Sequence, residues 1–323
     1  MNSAELEIHL TDDDLTAALR TDVRTGLTAT PKWLPPKWFY DARGSELFEA
    51  ITELPEYYPT RTERALLERV VGEIAQVAQA EVLVELGAGS AAKTRLLLEA
   101  LTSGGPLKTY VPQDVSVAAL SAAAEQVAAE FPRLGVHGVV SDFTATLDNL
   151  PRGGRRMIAF LGGTIGNLVP AERAAFLGGI HEVLEPGEQL LLGAGLVIDP
   201  AILVPAYDDA ADVTAEFNRN VLHVLNKRLD ADFAPEKFEH VAIWDADQEW
   251  IEMRLRATEP MRVTIADLDL TVDFAAGEEL RTEISAKFQR ASFEKELATA
   301  GFATERVWSD PDERFALFLA ERR

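Results

Sequence analysis

The 323-residue chain contains no cysteine. Disulfides, thiolate nucleophiles, cysteine-ligated zinc and cysteine-ligated iron–sulfur clusters are therefore excluded. Histidine is scarce as well. His9, His137, His181, His223 and His240 never recur at a metal-ligand spacing such as i, i+4, so no metal site is expected. No apolar run approaches the ~20 residues of a membrane span. The stretch from Met1 to Asp14 lacks the basic start and apolar core of a secretory signal, which leads to the expectation of a cytoplasmic protein. Positive charge is the next shortage. Lys and Arg total 31 against 53 Asp and Glu, a net charge of −22. Nucleic acid and anionic membrane both require a cationic footprint, so neither is expected as a partner. The one compact basic cluster, Arg152, Arg155 and Arg156 around Gly153 and Gly154, reads as a solvated loop ahead of a strand.

What is present is a strand–helix alternation. Residues 80–87, 107–114, 135–143, 155–162 and 188–197 read as buried strands, with helical patterns over 93–100, 117–130 and 170–184. Such spacing implies βαβ units and a parallel sheet covered on both faces. A helix precedes them, with Thr60 as a candidate N-cap and Glu63 at capping-box spacing. The C-terminal segment adds a helix over 292–300 stopped by Gly301, then two strands, 303–310 and 314–321, around an Asp-Pro-Asp turn. The expected fold class is α/β with a seven-stranded sheet ending in an antiparallel hairpin. Residues 198–286 differ: one or two helices are followed by alternating strands with their own turns. They read as an α+β insertion domain packed with residues 1–60, leaving 61–197 and 287–323 as the sheet domain.

The informative loop is VELGAGSAAKT, residues 84–94. A strand turns through Gly87-x-Gly89 into a helix, and a side chain there would block close approach of a ligand to the backbone. The third glycine of a dinucleotide fingerprint is replaced by Ala92. Alone, a glycine pair after a strand is as well read as a tight turn. Two further acidic strand ends, Asp114 and Asp142-Phe143, join Glu85 at the carboxyl edge, where open α/β sheets bind ligands. Asp114 suits two ribose hydroxyls; Asp142 and Phe143 suit an adenine amine and ring. Only Lys93 is positioned to meet a phosphate, so a phosphate-free, cationic nucleoside such as S-adenosylmethionine fits this acidic rim better than NAD.

The E-x-G-x-G start looks like the first motif of class I methyltransferases. More specific are PPKWFYD (35–41), LPEYYPTRTE (54–63), FLGGTIGN (160–167), FNRN (217–220) and DFAAGEELRTEISAKF (273–288). On these segments, and over nearly its whole length, the chain resembles the L-histidine Nα-methyltransferases of ergothioneine biosynthesis. The resemblance implies trimethylation of the α-amino group of free L-histidine to hercynine with S-adenosylmethionine as methyl donor, no metal, and a monomer. It implies a Rossmann-like cofactor domain (61–197 and 287–323) and a substrate domain (1–60 and 198–286). It places cofactor contacts on Tyr40, Gly87, Lys93, Asp114, Asp142 and Phe143. Substrate contacts fall on Tyr57, Gly162, Asn167, Tyr207, Met253, Glu283 and Ser285. Ala88, Ser90 and Ala91 are expected to touch the cofactor through backbone alone. A member of the same family acting on another free amino acid is the alternative.

The residues themselves support these roles unequally. Tyr40 is expected to orient the amine or relay its proton, but reads equally as one aromatic among Trp33, Trp38 and Phe39. Asn167 can donate to a carboxylate, with Tyr207 as second donor, or simply serve a turn or cap the helix that follows. Glu283 and Ser285, at i and i+2, point the same way in an extended segment and suit two imidazole nitrogens; an exposed strand edge is the plainer reading. Met253 is more often core than ligand wall.

Overall fold

The computed structural model describes residues 4–89 and 93–323. They form two compact units, one of residues 4–11, Arg61–Leu196 and Phe288–Arg323, the other of Asp12–Thr60 and Val197–Lys287.

The first unit is built on an eight-stranded sheet in the order Glu5–Ile8, Gly135–Val140, Thr109–Asp114, Val82–Leu86, Arg156–Phe160, Gln189–Gly195, Phe315–Arg322, Phe302–Ser309. The first six are mutually parallel, and the last two complete the sheet antiparallel. Helices Thr94–Gly104, Val117–Glu130 and Pro170–Val183 make the crossovers that parallel pairing demands. Helix Val117–Glu130 shows the local logic. Ser116 caps it by accepting from the Ala119 N–H at 3.3 Å. Leu120, Ala123, Ala124, Val127 and Ala128 recur at helical spacing and are its buried face. Burying the Leu120 and Val127 side chains contributes about 1.5–3 kcal/mol each. Helix Arg290–Thr299 stops where expected, with Gly301 at φ +91°, and a Cβ there would sit 2.6 Å from His181 Nε2.

Three expectations are corrected. Residues 4–11 belong to this unit, not with the rest of the N-terminal segment, because Glu5–Ile8 pairs in parallel with Gly135–Val140, which makes the sheet eight-stranded where seven strands are expected from sequence. A four-residue strand exposed throughout carries no apolar run to announce it. The second correction concerns Arg156: it is buried rather than solvated, with Nη2 2.6 Å from Glu188. Arg152 and Arg155 are exposed. Finally, the long helix begins at Tyr58, not after Thr60, and runs to Ala78. Glu63 does not cap it.

The second unit carries a four-stranded sheet in the order Lys32–Trp33, Glu279–Ala286, Trp250–Ala257, Phe238–Asp245, and a separate hairpin of Met261–Ile265 with Leu270–Phe274. One face of Trp250–Ala257, with Ile251, Met253 and Leu255, packs into an apolar cluster with Leu19, Phe39, Phe217 and Val221. Asp41 caps helix Ala42–Thr52, accepting from the Gly44 N–H at 2.8 Å. A Cβ on Gly44 would meet Phe39 O at 1.7 Å, so only glycine fits. Asn220, on helix Val213–Leu229, donates through Nδ2 to Phe39 O at 3.1 Å and Asp41 Oδ1 at 2.8 Å. These bonds hold the Phe39 carbonyl and the Asp41 side chain, on either side of Tyr40, and so join PPKWFYD to FNRN.

Candidate functional site

In the first unit, the carboxyl ends of three adjacent strands hold the expected cofactor residues. Gly87, at φ +67°, and Gly89, at φ +50°, make the turn after Val82–Leu86 in conformations that side chains disfavour. Asp114 closes the next strand. Its Oδ2 accepts from the Gly89 N–H at 3.1 Å and its Oδ1 from the Ser116 N–H at 3.0 Å. The carboxylate is thus fixed by backbone, and each oxygen keeps a second lone pair for a ligand. Asp142 is held the same way by Thr144, from N at 2.8 Å and Oγ1 at 2.5 Å. Phe143 is half-buried, its ring edge-on to Phe160 and Phe176 at 5.2 and 5.8 Å. A Cβ on Gly87 would come within 3.7 Å of it. Gly87, Gly89, Asp114 and Phe143 therefore share one neighbourhood. Ser90, Ala91 and Ala92 lie outside the described residues.

Glu85 does not line that rim. It is buried beneath the turn, accepting from Thr94 Oγ1 and from Tyr110 Oη. Burial raises its carboxyl to about 7, against the pull of those two hydrogen bonds. A carboxyl raised on folding stabilises fully below its unfolded value, near 4.5, and that contribution fades as pH climbs through about 7. Glu85→Gln, which cannot ionise, is expected to gain melting temperature relative to the parent between about pH 5 and about pH 8. A gap that stays constant with pH contradicts this.

Lys93 is paired with Glu63, a fully buried carboxylate that also accepts from the Gly162 N–H at 2.8 and 3.0 Å. Gly193 makes room for it, since a Cβ there would lie 2.1 Å from Glu63 Oε1. Glu63 was legible in sequence only as a helix-cap candidate; its role is to fix Lys93 and the Gly162 turn, where φ is +82°. Asn167 ends the 3₁₀ turn Thr164–Asn167. The following helix is capped instead at Val169, whose N–H donates to Glu172 at 3.1 Å. The helix-cap reading of Asn167 thus falls away, while its place at the end of a turn holds, with the residue half-buried.

In the second unit, Met253 and Glu283 face each other across an antiparallel pair, beside a register shift between Arg281 and Glu283. Glu283 is 9 % exposed and Ser285 and Tyr207 are buried too, so the exposed-edge reading of Glu283 and Ser285 is excluded. Burial lifts the Glu283 carboxyl to about 7, and the Lys287 charge opposes that rise. Met253 serves as core and as the residue opposite Glu283 at once. Ser285 Oγ lies 2.8 Å from Tyr207 Oη, whose ring is edge-on to Tyr57 at 6.2 Å. Tyr40 packs edge-on against Phe48 and Phe217 and is 44 % exposed. The exposed part of the residue leaves its hydroxyl enclosed by protein, and that desolvation first, then Glu283 and Tyr207, holds the hydroxyl above the ordinary phenol range. Tyr57 is raised by burial and by the same neighbours. The three tyrosines and Glu283 therefore act on one another electrostatically.

Sequence reasoning missed two supports here. Lys287 donates to both Tyr207 Oη and Ser285 Oγ; the i, i+2 step that joined Glu283 to Ser285 reaches it with one more step. His240 bonds Tyr207 O through Nε2 and Asn218 through Nδ1, both at 2.8 Å, and Asn218 Oδ1 accepts from Thr282 at 2.6 Å. Burial holds His240 below its usual value. A neutral ring with its proton on Nε2 satisfies both bonds. This chain ties Tyr207 to the residue preceding Glu283, and nothing in the spacing of single histidines signals it.

Among the described residues no group of three or more His, Asp or Glu could hold a metal ion, and no helix is long and apolar enough to cross a membrane. Residues 19–322 match the family described as histidine-specific methyltransferase, SAM-dependent. The histidine N-alpha-methyltransferase of Mycolicibacterium smegmatis is 52 % identical over 314 residues, covering 97 % of this chain and 98 % of that protein. That of Mycobacterium tuberculosis gives the same identity and coverage. Ergothioneine biosynthesis protein 1 of Neurospora crassa is 28 % identical over 95 % of this chain and 36 % of its own length. Matched along nearly its whole length by that family and by two relatives half identical to it, the chain belongs to the histidine-specific, S-adenosylmethionine-dependent methyltransferases.

Proposed function

We propose that this methyltransferase converts free L-histidine to its Nα-trimethylated betaine, hercynine, the first step of ergothioneine biosynthesis. The observation that carries the reading is the buried Glu283–Ser285 pair, an acceptor and a hydroxyl two residues apart on one strand, in a chain half identical to two histidine Nα-methyltransferases. In this reading Gly87, Asp114, Asp142 and Phe143 take the adenosyl group, and Glu283 and Ser285 the imidazole.

The cofactor residues suit an adenosyl group without phosphate. Asp114 and Asp142 are anchored acceptors, and the Lys93 charge is already matched by Glu63, leaving no bare cation there for a pyrophosphate. Asp114 would take the ribose hydroxyls, and Asp142 with Phe143 the adenine. Bound there, S-adenosylmethionine supplies a methyl group activated on a positive sulfonium.

Methyl transfer needs a neutral amine lone pair held in line at ~3–3.5 Å. An α-amine has a reference pKa of ~8, so part of it is neutral near pH 7 and a desolvated site favours that form. Tyr40 keeps its proton, since its hydroxyl is pushed up. It orients the amine as a hydrogen-bond partner rather than removing a proton as phenolate. Asn167 and Gly162 serve the carboxylate end; Tyr57 and Met253 wall the ring, with Glu283 and Ser285 on its nitrogens.

Mass spectrometry of L-histidine incubated with the protein and S-adenosylmethionine tests this. The expected products are about 14, 28 and 42 mass units heavier, one CH₂ per transfer, with the last accumulating. Fragmentation should place every methyl on the α-nitrogen. Methylation of the ring, or of another amino acid in preference, would defeat the proposal.

A further inference from the structure

Lys287 lies just past the strand Glu279–Ala286 and is buried. Its Nζ is 2.7 Å from Tyr207 Oη and 2.8 Å from Ser285 Oγ, and the two hydroxyls are 2.8 Å apart. Three polar groups thus close a triangle. An ammonium only donates, whereas a hydroxyl has one proton and two acceptor lone pairs. Lys287 fills one lone pair on each hydroxyl oxygen. The bond between the hydroxyls uses one of their two protons. A single hydroxyl proton is left over.

Acidity decides which one. Burial, and then Glu283, push the Tyr207 hydroxyl up, against the pull of its bond with Ser285, but a phenol so shifted is still a better donor than an aliphatic alcohol. Tyr207 therefore donates to Ser285. Ser285 then has both lone pairs occupied, by Tyr207 and Lys287, and its proton alone leaves the triangle. Burial pulls Lys287 below the usual lysine value, while Tyr58 and Glu283 act to keep it charged.

We propose that Lys287 is a positioning residue for substrate recognition: by closing this triangle it makes Ser285 an obligate donor. On the histidine reading above, the pocket then presents one donor, Ser285, and one acceptor, Glu283. That pair matches a neutral imidazole, with its bare nitrogen at Ser285 and its N–H at Glu283. It disfavours a ring with no acceptor nitrogen. It also reassigns Tyr207, whose proton goes to Ser285 rather than to the substrate carboxylate.

Calorimetric binding of L-histidine and of 3-(2-thienyl)-L-alanine, a five-membered-ring amino acid without ring nitrogens, tests this on the full chain. In Lys287→Met the preference for histidine over thienylalanine should fall about tenfold, with thienylalanine affinity unchanged. Lys287→Arg, which keeps the donors, should retain most of the preference. Ser285→Ala should lose the preference alone as much as together with Lys287→Met, because the lysine acts through the serine. Equal weakening of both amino acids, or additive losses in the double variant, overturns the proposal. If Lys287→Met does not fold, Lys287→Leu, which also lacks a donor, answers the same comparison. Absence of any histidine preference in the unaltered protein overturns the functional reading itself. A preference that survives Lys287→Met overturns only the role given to the lysine.

Discussion

Replacing Asp114 by alanine is expected to weaken S-adenosylmethionine binding by about 3 kcal/mol, on the order of 100-fold in Kd, as the loss of charge-assisted bonds to two ribose hydroxyls. The side chain is fixed before any ligand arrives, since its oxygens accept from Gly89 and Ser116 at 3.1 and 3.0 Å. Truncation therefore removes both the ligand's acceptor and an anchor of the glycine turn. Asp114→Asn keeps one oxygen for the turn and should lose less. Titration calorimetry with the cofactor reads both variants. A Kd within threefold of the parent for Asp114→Ala would place the ribose elsewhere. L-Histidine affinity, measured separately, should change less, because no histidine contact is assigned to Asp114.

Glu283→Ala should abolish most of the preference for histidine over other aromatic amino acids, by about 1–3 kcal/mol or roughly 5- to 150-fold in relative kcat/KM. The carboxyl is buried and faces Met253 across the sheet, so an alanine there leaves an apolar space that accepts rings without nitrogen. Removing a buried carboxyl raised to about 7 also removes a charge that the fold tolerates poorly near neutrality. The variant should therefore be no less stable at about pH 8, and selectivity can be read on folded protein. A competition assay with histidine and tryptophan at equal concentration gives the ratio directly. An unchanged ratio would refute the role.

Much of this was legible in the sequence because the first unit obeys strong local rules. Buried parallel strands read as near-continuous apolar runs, and their crossovers as helical periods. The glycine turn, Asp114 and Asp142-Phe143 all fall at strand ends that periodicity alone locates. What failed had physical causes. The strand Glu5–Ile8 is exposed along its length, so burial leaves no pattern in it. Arg156 looks like its solvated neighbours until Glu188, far along the chain, is known to sit against it. Glu63 lies at capping-box spacing yet bonds Lys93 and Gly162. Such long-range polar pairing follows tertiary geometry, not spacing. The same holds for the His240–Asn218–Thr282 chain and for Lys287. Tyr40, Asn167 and Glu283 were candidates by residue type alone; resemblance singled them out. For Tyr40 and Glu283 their settings add reasons, in the Asn220 bonds on either side of Tyr40 and the burial of Glu283; Asn167 sits at the end of a turn.

The most direct measurement is a crystal structure with S-adenosylhomocysteine and L-histidine bound. The account predicts ribose hydroxyls on Asp114, adenine beside Asp142 and Phe143, and the imidazole nitrogens on Glu283 and Ser285. Adenosyl density away from Gly87 and Asp114, or an imidazole without contact to Glu283, would contradict it.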